Sequence, residues 1–135
     1  FFIARKETEI FIFNKLREMK QQVWVVAGGN TPLDKYISKY FDGKILQYYM
    51  TTDEIFEARN YYLNIFGDYI IEARIDEKTA LKVDRIYNET VTWSESVEKQ
   101  LIDIVSEGKT QITISRNKKK ADKLKKIFSP YFYKI

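Results

Sequence analysis

Gln22-Val23-Trp24-Val25-Val26-Ala27-Gly28-Gly29-Asn30-Thr31-Pro32 is the stretch on which the fold reading turns. Four apolar residues, Val23 to Val26, run without alternation, which predicts a strand buried on both faces and central to the fold. Gly28 and Gly29 free the backbone for a sharp exit. Thr31 then caps, and Pro32 opens, a predicted helix over 32–41 with Leu33, Tyr36, Ile37, Tyr40 and Phe41 on its apolar side. A strand feeding a capped helix is the first step of an α/β unit.

On the N-terminal side, Ile10, Phe13, Leu16 and Met19 fall at helical spacing between Glu7 and Lys20. On the C-terminal side, Asp42-Gly43 ends the second helix, and 45–50 reads as a strand parallel to the first. Thr51 and Glu54 form a capping-box pattern, which predicts a helix carrying Ile55, Ala58, Tyr62, Ile65 and Phe66 up to Gly67. Residues 69–75 alternate as a third strand. Residues 80–87 and 90–93 read as two extended pieces joined near Asn88-Glu89. Ser94 starts a helix with Val97, Leu101, Ile104 and Val105 inward and Gly108 at its end. Residues 111–115 form a short strand, and Asn117 caps a last helix carrying Ala121, Leu124, Ile127 and Phe128, closed by Pro130. The expected class is α/β, with a mixed, mostly parallel sheet of about five or six strands flanked by helices.

The 135 residues make one domain, 1–135, and the start at Phe1 in place of Met leads us to expect a piece of a longer chain. A composition 44% hydrophobic and 31% charged is that of a globular protein, and no apolar run reaches the length of a membrane span, so a cytoplasmic location is expected. Cysteine and histidine are both absent. The usual general base, thiol nucleophile and zinc ligands are therefore missing, so the expectation is a non-enzyme that needs no cofactor or metal. Asp68, Glu72, Asp76 and Glu77 faintly suggest a metal nuclease, but Ala73-Arg74 stands where that pattern needs a lysine.

Two stretches are candidates for binding. Gly28, Gly29, Asn30 and Thr31 sit at the carboxyl end of a strand and the start of a helix, where an α/β protein cradles an anionic or sugar-like ligand. The bland alternative is a tight, capped turn. Residues 109–135 hold nine lysines and arginines against one acid, a net +8, so the preceding 108 residues carry −4 of the overall +4. Arg116, Lys119, Lys120, Lys123 and Lys126, interleaved with Phe128, Tyr131, Phe132 and Tyr133, are candidates for gripping phosphates and stacking bases. A solvated face of an amphipathic terminal helix is the simpler account of the same lysines.

The Gly28-Gly29-Asn30-Thr31-Pro32 loop resembles the GG-S/N-TP loop of the 6-phosphogluconolactonase and glucosamine-phosphate deaminase family, with Thr52-Asp53-Glu54 where that family's acidic motif follows. Those enzymes use a histidine-containing loop that this chain lacks, so their activity is not implied. The order of elements is similar to one half of the phospholipase D fold, including its non-catalytic relatives in archaeal transcription regulators of the TrmB type. The H-x-K-x4-D signature falls on Ala80-Leu81-Lys82 with Tyr87 in the acid's place, and Trp93-Ser94 and Ser96 lie where a Gly-Ser and an Asn follow. Lys82 and Ser94 keep that pattern, and the nucleophilic histidine is lost. The resemblance implies a ligand-sensing or dimerising domain of a transcription regulator, a homodimer. Its pocket would lie at Gly28–Thr31 with Lys82 and Ser94 close by, and DNA would be held by a module outside this chain or by the basic tail. The alternative is a nucleic-acid-binding protein working through its last helix.

Overall fold

A computed structural model describes residues 5–53, 55 and 60–133. Helix α1 (Lys6–Glu18) leads into strand β1 (Val23–Gly28), helix α2 (Pro32–Ser38) and strand β2 (Leu46–Thr51). Strands β3 (Tyr61–Phe66) and β4 (Tyr69–Ile75) follow, then helices α3 (Glu77–Glu89) and α4 (Glu95–Glu107), strand β5 (Thr110–Arg116) and helix α5 (Lys118–Phe128). The class is α/β, but the sheet differs from the expected one. β1 and β2 form a two-stranded parallel pair, as the crossover through α2 requires, and β3-β4-β5 is a separate antiparallel sheet.

Three local readings changed with it. Residues 61–66 are a strand, because aromatic and branched side chains lead into the two-residue turn Gly67-Asp68, with Gly67 at φ +59°. Glu54 and Ala58 of the expected helix lie outside the described residues. Thr51 stays on β2, its hydroxyl accepting from the Asp53 amide at 3.0 Å. Residues 77–89 are one helix where 80–87 was expected to be extended, and 90–93, the second expected extended piece, is a bend between two helices. Asp76 caps the 77–89 helix, accepting from the Thr79 amide, and Val83, Ile86 and Tyr87 fall on one stripe that packs against α2 and α4.

The centre of packing moves accordingly. β1 is half-buried, not fully enclosed, since β2 is its one partner strand among the described residues. The tightest cluster is Leu33 and Ile37 of α2 with Leu101 of α4, at 0%, 3% and 2% exposure, ringed by Phe41, Tyr48, Val83, Ile86, Tyr87, Trp93 and Val97. Phe13 of α1 meets Phe41 edge-on, with centroids 4.9 Å apart. α1 ends in a Schellman turn: Gln21 N–H bonds to Leu16 O and Lys20 N–H to Arg17 O, with Lys20 at φ +54°.

The chain's end crosses back to the parallel pair. Phe132 stacks on Trp24 at 5.4 Å and Tyr131 lies against Tyr49. The Gln47 side chain donates to Tyr133 O and accepts from Tyr133 N–H. These aromatics therefore hold the fold together, which leaves Tyr131 and Phe132 engaged on protein rings and not poised to stack bases.

Candidate functional site

Register in the antiparallel sheet fixes two faces. One carries the rows Phe66/Tyr69/Arg116, Asn64/Ile71/Ile114 and Tyr62/Ala73/Ile112. The other carries Ile65/Ile70/Ser115, Leu63/Glu72/Thr113 and Tyr61/Arg74/Gln111. α5 lies on the second face: Ala121 and Ile70 are fully buried, Lys120 bonds Glu72 at 3.2 Å, and Lys125 donates to Gly67 O. That face is polar beyond the helix. Tyr61 donates to Glu72 at 2.6 Å and Arg74 lies over the Tyr61 ring. Burial pushes the Tyr61 hydroxyl up to about 12, helped by the Glu72 carboxylate, while Tyr61 and then Lys120 hold Glu72 below its ordinary value.

The first face is the reverse. Apart from Asn64 and Arg116 its side chains are apolar or aromatic, yet Phe66 is 54% exposed, Tyr69 50%, Ile112 62% and Ile114 66%. The start of α1 approaches one corner, where the charges of Glu9 and Arg5 act on Tyr62. No other described element packs over the rest, and Arg116 is its one charged side chain, placed 3.8 Å from Asp68 and over the Tyr69 ring. An antiparallel sheet ordinarily turns its apolar positions inward and its polar ones to water. Here the open face is the apolar one. The strand at 111–115 was legible in the sequence, but which face of its sheet α5 would cover was not.

The Gly28–Thr31 loop is closed upon itself. The Thr31 amide and hydroxyl both donate to Asp34 Oδ2 at 2.8 Å, and Asp34 N–H donates back to Thr31 Oγ1 at 3.3 Å, a complete capping box. Asp34 is 7% exposed, and a Cβ on Gly29 would stand 2.7 Å from its Oδ2. A buried carboxylate thus occupies the position that the sequence reading gave to an anion. Gly28 and Asn30 are exposed at the loop's outer side. Lys82 is an exposed residue of α3, and Ser94 is the N-cap of α4, accepting from Val97 N–H.

A groove of about 420 Å³ lies next to these segments, lined by Pro32, Lys35, Tyr36 and Lys39 of the α2 region and by Val91, Thr92 and Trp93. It begins one residue after Thr31 and ends one residue before Ser94, but Gly28 to Thr31, Lys82 and Ser94 do not line it. A smaller hollow of about 130 Å³ opens among Tyr61, Glu72, Arg74, Gln111 and Thr113.

On α5 the basic candidates separate. Lys120 is paired with Glu72, and Arg116 faces Asp68. Lys119, Lys123 and Lys126, spaced four and three apart, form one exposed stripe with no ion pair among the described residues. Among the described residues no group of three or more acidic side chains could hold a metal ion, and no helix is long and apolar enough to cross a membrane. No family model, curated protein or solved structure matches this chain. Nothing in the geometry or in these comparisons gives a positive indication of an enzymatic activity.

Proposed function

We propose that this chain is a non-enzymatic dimerisation and ligand-sensing domain of a cytoplasmic transcription regulator, self-associating through the apolar face of its antiparallel sheet. The observation that carries the self-association is the inverted polarity of that sheet. Phe66, Tyr69, Ile112 and Ile114 each leave on the order of 100 Å² in water. Two copies meeting face to face would cover roughly 800 Å² from these side chains alone. With Tyr62, Ile71 and the strand backbones, the total approaches the roughly 1,000 Å² that a specific interface needs. A second copy also suits the charges: Arg116, the face's one charged side chain, stands in the end row of the sheet with Asp68 3.8 Å away, so it can stay at the rim of the contact with an acid beside it. Sheets packed this way lie about 10 Å apart, with the α5 helices on the two outer sides.

The chain has no cysteine, so a single introduced thiol is unique. Asn64→Cys, in the middle row of the apolar face, should cross-link to a dimer with a short bismaleimide at micromolar concentration. Thr113→Cys, on the polar face, should not. Equal cross-linking at both positions, or none at either, would reject the interface.

A second reading, nucleic-acid binding, is favoured by the Lys119, Lys123 and Lys126 stripe. It is compatible with the dimer, because α5 lies on the opposite face. Three neutralised phosphates per copy give a log–log salt slope of about −2 to −3. Lys119→Gln, Lys123→Gln and Lys126→Gln together should abolish that slope if DNA or RNA is the partner.

A further inference from the structure

We infer that the groove between α2 and Val91–Trp93 binds a small, flat organic anion. The inference rests on the sensing half of the proposed function and stands whether or not the domain dimerises. At about 420 Å³ the groove falls in the lower part of the range of small-molecule sites. Its wall is apolar and already set in place. Tyr36 stacks on Trp93 with centroids 5.0 Å apart and planes 8° from parallel. The Tyr36 hydroxyl is held by that of Tyr40 at 2.8 Å, and burial with this bond pushes it up to about 12, so it stays neutral.

The charged groups are of one sign. Lys35 and Lys39, four apart on α2, both line the groove and neither forms an ion pair or side-chain hydrogen bond among the described residues. No carboxylate lines it. The acid whose charge reaches Tyr36, Glu98, is taken by Lys6 at 2.6 Å, and that lysine itself lies over the Trp93 ring. Two free ammonium groups beside a fixed aromatic and aliphatic wall fit an anionic group carried on a ring. The ring would cover Pro32, Tyr36 and Val91, of which Val91 is 80% exposed.

The chain has two tryptophans, so Trp24→Phe leaves Trp93 as the single reporter. Adenosine monophosphate should change its emission saturably below about millimolar concentration, with adenosine and inorganic phosphate each weaker by about tenfold or more. Lys35→Gln with Lys39→Gln should weaken the nucleotide by about tenfold or more while leaving the melting temperature in place. Equilibrium dialysis of the labelled nucleotide against the unaltered chain repeats the measurement without the Trp24 change. Ile112→Lys with Ile114→Lys, which tests self-association, should leave this binding intact. No saturable binding of adenosine monophosphate or of salicylate, or binding unchanged by the double lysine variant, would overturn the inference.

Discussion

Replacing Asp34 with alanine separates a self-closed turn from a ligand cradle. The carboxylate is 7% exposed and receives two bonds of 2.8 Å from Thr31. Its loss leaves a half-buried amide and hydroxyl without an acceptor at the start of α2, at a cost of about 1–3 kcal/mol. With about 2.1 cal/mol/K of unfolding entropy per residue, 1 kcal/mol is worth roughly 3–4 °C in a chain of this size, so the melt should fall by about 4–10 °C. Gly29→Ala supplies the internal control. Its Cβ would lie 2.7 Å from Asp34 Oδ2, so the carboxylate must give way. In the Asp34→Ala background that crowding is gone, and the two changes should be non-additive by about 1 kcal/mol. Thermal and urea unfolding of the four proteins completes the cycle. An Asp34→Ala protein that melts within 1 °C of the original (about 0.3 kcal/mol) while gaining affinity for phosphate would refute the argument and restore the anion cradle.

Leu101→Ala opens a cavity where α4 meets Leu33 and Ile37, and calorimetry should show a loss of about 2–5 kcal/mol; a loss under 1 kcal/mol would displace the core from α2, α3 and α4. Lys20→Gly relieves a left-handed residue in the turn after α1 and should be neutral to stabilising by up to about 1 kcal/mol, where a glycine in an ordinary helical position would destabilise. Asp76 is pulled from 3.8 down to about 2 by the Thr79 and Lys109 amides, so its stabilisation is present above about pH 4 and is lost as the pH falls through about 2. The gap in melting temperature between the original and Asp76→Asn should therefore be widest at neutral pH and close near pH 2; a gap constant with pH would rule out the carboxylate's charge as its source.

The helix caps were the most legible features, because a cap is a local bargain between one side chain and the next turn. Thr31, Ser94 and Asn117 all accept from the amide three residues on, as their positions in the sequence indicate. The parallel pairing of β1 with β2 followed equally well from the short crossover between them. Sheet membership did not, since nothing local tells Val23–Val26 whether strands from the second half of the chain will join it. The Thr51/Glu54 pattern outweighed a better signal, two aromatic and branched runs around Gly67-Asp68, which is a hairpin turn by its own chemistry. Asp76 with Val83, Ile86 and Tyr87 likewise carried a helical period that the extended reading of 80–87 passed over. At the site, the loop glycines were visible, but the acid that closes the loop is a helix residue whose burial only the packing reveals. The groove falls beside the two segments first singled out, and its lysines lie among ordinary surface residues in the sequence.

The open apolar face is the central claim, and sedimentation equilibrium tests it most directly. The unaltered chain should fit a monomer–dimer equilibrium in the micromolar range. Ile112→Lys with Ile114→Lys should give a monomer with unchanged circular dichroism, since both side chains are already more than 60% in water and their loss removes little from the fold. Gln111→Lys with Thr113→Lys, on the polar face of the same strand, should still dimerise. A chain that stays monomeric at several hundred micromolar, or a dimer that survives the two isoleucine changes, would contradict the claim.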